Sequence, residues 1–112
     1  MRGLKDKVIV IAGGGSGIGA ATALRLGSEG AVVIVGDYDS AAAKAVAEQV
    51  ITDGGRALSA GFDIRDRESV ARLINLALEQ SGKIGGVHVN AADMSLLSRD
   101  EDVVSTDLSV FD

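Results

Sequence analysis

The residues with the clearest chemical meaning in this sequence are glycines that follow a short apolar run. The run is Val8–Ala12, and glycine stands directly after it at positions 13, 14, 15, 17 and 19. Backbone N–H groups at the start of a helix can hold a diphosphate when no side chain blocks the approach. Glycine removes that block and tolerates the tight turn from strand to helix. This glycine turn, residues 13–19, therefore predicts a site for the diphosphate of a dinucleotide.

Asp37 is the second residue with a predicted role in that site. It ends the next apolar run, and it follows Gly19 by 18 residues, close to the roughly 20 that separate the turn from an acid that binds an adenosine ribose. A carboxylate there accepts hydrogen bonds from both ribose hydroxyls and repels a 2′-phosphate. No Arg or Lys follows Asp37 directly, and Ser16, not a basic residue, precedes Gly17. The sequence therefore predicts NAD as the cofactor, not NADP.

The hydrophobic pattern predicts a strand and a helix repeated three times, followed by a fourth strand. Such an order is typical of a Rossmann-type α/β fold, a doubly wound parallel sheet between two layers of helices. The predicted strands are residues 8–12, 31–36, 56–62 and 86–91, and the predicted helices run from the glycine turn to about residue 28, from residue 41 to 52 and from residue 66 to 81.

Two details of the helices are expected from side-chain chemistry and spacing. Asp39 or Ser40 is expected to cap the second helix, because each offers a side-chain oxygen to the free N–H groups of the first turn. The apolar face of that helix is expected at Ala42, Val46 and Val50. Residues 94–109 have a loop-like pattern, and the segment 106–112 resembles the first turn of a further helix.

Composition limits the classes of function. The 112 residues suffice for one domain with a core, and a formal net charge of −5 with no run of Lys or Arg argues against a nucleic-acid partner. Cysteine is absent, so disulfides, thiolate metal sites and a cysteine nucleophile are excluded. No apolar run approaches the length of a membrane span, and no signal-like segment is visible, so a cytoplasmic protein without membrane contact is expected.

The order of these features resembles the short-chain dehydrogenase/reductase family. The family's T-G-x-x-x-G-I-G motif corresponds to A-G-G-G-S-G-I-G at residues 12–19, with Gly13, Gly17 and Gly19 as the motif glycines. Ala12 replaces a threonine whose hydroxyl braces the turn in the family. The family's N-N-A-G motif corresponds in part to residues 90–93, N-A-A-D, where alanine replaces the second asparagine and aspartate the glycine.

The resemblance implies the spatial strand order 3-2-1-4 and adds residues to the candidate site. It implies that Asp63 and Ile64 contact the adenine, that Asn90 lies near the cofactor, and that Tyr38 is a surface residue beside the ribose. The complete candidate cofactor-binding set is Gly13, Gly15, Ser16, Gly17, Ile18, Gly19, Asp37, Tyr38, Asp63, Ile64, Asn90, Ala91 and Ala92. No metal site is predicted, and His88, within a strand, is expected to be structural.

The resemblance also implies a function. Residues 1–112 would be the NAD-binding N-terminal part of a longer oxidoreductase domain that transfers hydride between NAD(H) and an alcohol or ketone, often as a homodimer or homotetramer. The family's catalytic Asn, Ser, Tyr and Lys lie beyond the matching positions, so no catalytic residue is predicted in this chain. Two alternatives are a dinucleotide-binding module without turnover and a nucleoside-binding methyltransferase-type fold, although Asp63-Ile64 and Asn90 fit the dehydrogenase family better.

Overall fold

The fold is an open parallel sheet with helices on both faces. A computed structural model describes residues 4–89 of the chain. The elements in order are β1 (Val8–Ala12), α1 (Gly17–Ser28), β2 (Val32–Asp37), α2 (Ser40–Thr52), β3 (Arg56–Gly61), α3 (Arg67–Ser81) and β4 (Gly86–Val89).

The four strands of the described residues form one sheet in the order β3-β2-β1-β4, and all their pairings are parallel. The predicted fold class and strand order are therefore confirmed. In the register, Ala12 lies beside Gly36 of β2, and Asp37 lies beside Gly61 of β3. Because the strands are parallel, their carboxyl ends meet at one edge of the sheet, where the loops that follow them must also begin.

The sheet separates two apolar layers, and β1 is buried on both of its faces. Val8 and Val10 belong to the layer that contains Leu73 of α3. Ile9 and Ile11 belong to the layer covered by α1 and α2. This explains why the run is continuously apolar instead of alternating, as is usual for a strand in the middle of a parallel sheet.

The ends of the helices follow their capping residues. Asp39 caps α2 by accepting a hydrogen bond from Ala42 N–H, so of the two candidate caps the aspartate is the one used. Asp66 caps α3 by accepting from Glu68 N–H, and α3 ends at Gly82, which adopts a left-handed φ of 80°. A left-handed glycine after the last turn is a common helix stop.

The predicted buried face of α2 is confirmed at Val50 and wrong by one residue at Ala42 and Val46. Ala43, Ala47 and Val50 are buried, whereas Ala42 and Val46 are half-buried. The error has a simple cause: four of the first six residues of α2 are alanines, and a run of alanines does not distinguish one helix face from another.

β2 lies one residue later than predicted, at Val32–Asp37 instead of residues 31–36, and β3 ends one residue earlier than predicted. β3 ends at Gly61, because Phe62 leaves the strand and donates its N–H to the carbonyl oxygen of Asp37 at 2.9 Å. β4 is described as far as Val89, so the predicted end of this strand and everything predicted for residues 90–112 lie outside the described residues. Among residues 4–89, no helix is long and apolar enough to cross a membrane.

The buried contact between α3 and the sheet gives a stability prediction. Leu73 is 2% exposed, whereas Leu58 on β3 is 37% exposed. We expect Leu73→Ala to lower the free energy of unfolding by about 2–5 kcal/mol, because it leaves a cavity in the core. The matched control Leu58→Ala should lower it by less, since more than a third of that residue is already exposed to solvent. Chemical denaturation of both variants measures the difference, and equal losses would contradict the described packing.

Candidate functional site

The glycine turn lies at the carboxyl end of β1, beside the carboxyl end of β2. The N–H groups of Gly13 and Gly14 both donate to the carbonyl oxygen of Gly36, at 2.7 and 3.0 Å. Gly15 N–H donates to Asp37 Oδ2 at 2.8 Å. Consecutive amides of the turn are therefore held by consecutive residues at the end of β2.

Two of the glycines are required by the backbone itself. A Cβ added to Gly19 would collide with the carbonyl oxygen of Gly13, so α1 can approach the turn this closely only without a side chain at position 19. Gly17 has a φ of 59°, in the left-handed region that is unfavourable for residues with a Cβ. The first residue of α1 and its first buried residue are thus both glycines for structural reasons.

The N-terminus of α1 keeps its backbone donors free. Its N-cap residue Ser16 makes no side-chain capping hydrogen bond, and the first turn contains no acidic residue. Within residues 4–89, the N–H groups of Ser16, Gly17 and Ile18 form no hydrogen bond. α2 and α3, in contrast, are both capped by aspartate. The free amides and the positive end of the helix dipole form a suitable environment for an anionic group.

Asp37 joins the glycine turn to the loop that follows β2. Its Oδ2 accepts from Gly15 N–H at 2.8 Å, and its Oδ1 accepts from Asp39 N–H at 2.9 Å. A carboxylate oxygen has two lone pairs, so each oxygen can accept a further hydrogen bond without losing the first. Asp37 is half-buried, and the two backbone contacts fix its orientation beside the turn.

Asp63 lies two residues beyond the end of β3, at the same edge of the sheet. Its Oδ1 accepts from the backbone N–H of Arg65 at 3.0 Å and from the guanidinium Nε of Arg65 at 3.3 Å. These contacts stabilise the ionised form, and the pKa of Asp63 is lowered chiefly by the backbone N–H of Arg65, with a smaller contribution from its guanidinium. The group is thus a carboxylate at neutral pH.

Ile64 combines a buried side chain with a free backbone donor. The side chain packs in the same apolar layer as Phe62 and Leu73, and the residue is 8% exposed. Its N–H has no hydrogen-bond partner among residues 4–89. Asp63 and Ile64 therefore offer an acceptor and a donor on adjacent residues.

The remaining candidates fall into two groups. Ile18 lies in the glycine turn and is 72% exposed, and Tyr38 directly follows Asp37 and is 74% exposed. Asn90, Ala91 and Ala92 lie outside the described residues, so their predicted place near the cofactor stays a prediction.

His88 lies on β4 beside Ile11 of β1. The residue is half-buried, and its Nε2 atom is shielded from solvent without a hydrogen-bond partner within residues 4–89. Nothing in the described part of the chain connects His88 to the glycine turn.

Ser69 of α3 was not predicted from the sequence as a functional residue. It is 5% exposed, and its hydroxyl oxygen accepts from Asp63 N–H at 2.9 Å. The signal that could have found it is its spacing: Ser69 precedes Leu73 by four residues, so a small polar residue stands on the apolar face of α3.

The two structurally required glycines give a matched pair of variants. We expect Gly19→Ala to lower the free energy of unfolding by about 3 kcal/mol, because the added Cβ meets a backbone carbonyl that cannot move aside. Gly17→Ala should lower it by only about 1–2 kcal/mol, since the added Cβ meets nothing within 4 Å and the loss comes from the left-handed φ. Denaturant titrations compare them, and a smaller loss for Gly19→Ala would contradict this geometry.

The contacts of Asp63 predict a pH dependence. A carboxyl whose pKa is lower in the folded than in the unfolded protein adds stability above its unfolded pKa, and this contribution disappears as the pH falls through the folded pKa. The Asp63 carboxyl should titrate below the roughly 3.9 of an unfolded aspartate. In Arg65→Ala it should still titrate below that value, because the backbone N–H remains. Carboxyl-carbon NMR titration measures both, and a full return to the unfolded value in Arg65→Ala would refute the leading role of the backbone.

Comparisons with known proteins agree with this arrangement. A family model described as short chain dehydrogenase matches residues 7–110. An uncharacterized oxidoreductase of Listeria monocytogenes is 35% identical over 103 residues, which cover 88% of this chain and 42% of that protein.

Two solved structures are similar in fold as well as in sequence. A hydroxysteroid dehydrogenase from Escherichia coli has a TM-score of 0.75 and 31% identity, and the match covers 78% of this chain and 37% of that one. A metagenomic short-chain oxidoreductase in complex with NADP has a TM-score of 0.70 and 32% identity, with 75% and 38% of the two chains covered. This sequence thus spans about two fifths of the length of these relatives. The chain belongs to the short-chain dehydrogenase family.

Proposed function

We propose that residues 1–112 form the NAD-binding part of a longer short-chain dehydrogenase, which transfers hydride between NAD(H) and an alcohol or ketone. The observation that carries this proposal is that two features lie side by side. The N-terminus of α1 has no side-chain cap, and the Oδ2 atom of Asp37 lies 2.8 Å from the backbone nitrogen of Gly15 in the adjoining glycine turn. The proposal includes assembly of the complete protein as a dimer or tetramer, as the family resemblance implies.

The phosphate part of the proposal follows from the free amides of α1. Ser16, Gly17 and Ile18 supply N–H donors at the positive end of the helix dipole, and no acidic side chain stands in the first turn to repel an anion. Gly17 leaves open space where a side chain would stand, since a Cβ added there meets nothing within 4 Å. The diphosphate of a dinucleotide matches both the charge and the space.

The preference for NAD over NADP depends on Asp37. Each of its carboxylate oxygens already holds one backbone N–H and keeps capacity for one ribose hydroxyl. The 2′-phosphate of NADP would instead place two negative groups in contact, and no basic residue directly follows Asp37 to compensate. One similar structure is a complex with NADP, and the Asp37 carboxylate is the feature of this chain that favours NAD.

The adenine is assigned to Asp63 and Ile64. The Watson–Crick edge of adenine presents a donor, the 6-amino group, beside an acceptor, N1. The Asp63 carboxylate and the Ile64 N–H present the complementary acceptor and donor, and both lie at the sheet edge that carries Asp37. These contacts would hold the adenosine end and leave the other end of the dinucleotide free to reach a substrate.

The role of this chain in the reaction is to bind the dinucleotide and to orient it. When bound, the nicotinamide supplies or accepts the hydride. The residues of the glycine turn hold the diphosphate, and Asp37 and Asp63 hold the adenosine, so that the position of the nicotinamide is set from two anchored points. Holding one reactant in position in advance lowers the entropic part of the barrier.

The cofactor assignment is tested by Asp37→Ala in the complete protein. We expect NAD affinity to fall at least about tenfold, because hydrogen bonds to a charged group are lost. NADP affinity should fall less or rise, so the preference for NAD shrinks. Isothermal titration with both dinucleotides measures the ratio of NAD affinity to NADP affinity in the wild type and in the variant.

The matched control is Asp39→Ala, which removes a neighbouring carboxylate that caps α2 and faces no predicted ligand. It should lower stability by about 1 kcal/mol and leave the ratio of NAD to NADP affinity unchanged. An equal loss for both cofactors in Asp37→Ala would mean that Asp37 only supports the turn, and unchanged NAD affinity would remove Asp37 from the site.

A further inference from the structure

Ser69 is the one buried polar side chain among residues 4–89, and the cofactor contacts proposed above do not use it. It lies in the first turn of α3 and is 5% exposed. Its hydroxyl oxygen accepts from Asp63 N–H at 2.9 Å, across six residues of chain. The capping of α3 does not need it, because Asp66 already caps that helix.

A serine at this place is not explained by helix formation. Alanine is the better helix former, and a buried hydroxyl is unfavourable unless it is hydrogen-bonded. The hydroxyl of Ser69 satisfies a backbone N–H that belongs to the loop after β3, outside the helix. Its contribution therefore concerns the conformation of that loop.

The hydrogen bonds around Asp63 fix the segment Asp63–Ile64 almost completely. Asp63 N–H donates to Ser69, the Asp63 carbonyl oxygen accepts from Asp66 N–H at 2.9 Å, and the carboxylate accepts from Arg65 N–H at 3.0 Å. Ile64 is held by its buried side chain. The Ile64 N–H is left without a partner in the described part of the chain, so the segment is ordered around one free donor and one carboxylate.

We propose that Ser69 is a positioning residue for the adenine-binding segment Asp63–Ile64, and that through it the protein distinguishes a 6-amino purine from a 6-oxo purine. The inference rests on the proposed function. A 6-oxo purine such as hypoxanthine presents an acceptor to the carboxylate of Asp63 and an N1–H donor to the Ile64 N–H. Both contacts are then unfavourable, and the discrimination depends on how rigidly the two protein groups are held.

The experiment compares NAD with nicotinamide hypoxanthine dinucleotide, which differs only in the purine, by isothermal titration of the complete protein. The wild type should bind NAD at least about tenfold more tightly, because two hydrogen bonds to the purine become unfavourable contacts in the analogue. Ser69→Ala frees Asp63 N–H from its partner and should reduce that preference by about fivefold, the size of one net hydrogen bond. NAD affinity should fall more than affinity for the analogue.

Ser81→Ala is the matched control. Ser81 is an exposed serine at the other end of α3, and its hydroxyl bonds only the nearby carbonyl of Lys83. Its replacement should leave the purine preference unchanged. If Ser69→Ala does not fold, Ser69→Cys keeps the shape of the side chain with a weaker acceptor, and it should reduce the preference in the same direction.

The outcomes separate this inference from the proposed function. Equal loss of affinity for both dinucleotides in Ser69→Ala, or no change in either, would show a purely structural serine and overturn the inference. A wild type that binds NAD without discriminating the purines would also overturn it, while NAD binding would stand. A wild type that binds neither dinucleotide would refute the proposed function itself.

Discussion

The close approach of α1 to the glycine turn is the constraint on which the rest of the site depends. Gly19 lies so near the carbonyl oxygen of Gly13 that no side chain fits between them. This contact places the start of the helix beside the carboxyl end of β1, where the N–H groups of Ser16 to Ile18 have no hydrogen-bond partner within residues 4–89. A longer connection would move those amides away from Asp37 and separate the residues proposed to bind phosphate from the one proposed to bind ribose.

The end of β2 holds the turn against this constraint. The carbonyl of Gly36 accepts from Gly13 and Gly14, and the Asp37 carboxylate accepts from Gly15. The bracing therefore needs no hydroxyl at position 12, where this chain has alanine in place of the family's threonine. It also gives Asp37 two roles, because the group expected to select the cofactor is a group that shapes the turn. For that reason the ratio of two cofactor affinities is more informative about Asp37 than either affinity alone.

The sequence predicted the parts of this structure that depend on local rules. The buried strand β1, the glycine turn, the acid at the end of β2 and the cap at Asp39 all follow from spacing and side-chain chemistry within a few residues. The strand order came from the family resemblance, since spacing does not say which strands are neighbours. The face of α2 was misplaced because alanines carry little information about which side is buried.

The role of Ser69 was not predictable for a different reason. Its partner, Asp63 N–H, belongs to a loop whose path is set by tertiary contacts, namely the buried side chain of Ile64 and the departure of Phe62 towards Asp37. A sequence pattern shows a small polar residue on an apolar helix face, but it does not show which backbone group needs that residue. Long-range hydrogen bonds between a helix and a loop are thus the part of the site that is seen only in the structure and is not predicted from the sequence.

These contacts make α3 the element that connects the segment Asp63–Ile64 with the end of β2, which holds the glycine turn. Ser69 and Leu73 lie four residues apart on one face of the helix. Ser69 holds Asp63, while Leu73 packs so closely against Gly36 that an added Cβ there would lie 2.7 Å from Leu73 Cδ2. Gly36 in turn holds the glycine turn through its carbonyl. The same face of α3 therefore contacts both the segment assigned to adenine and the residue that holds the turn assigned to phosphate, although neither Ser69 nor Leu73 is assigned a contact with the cofactor.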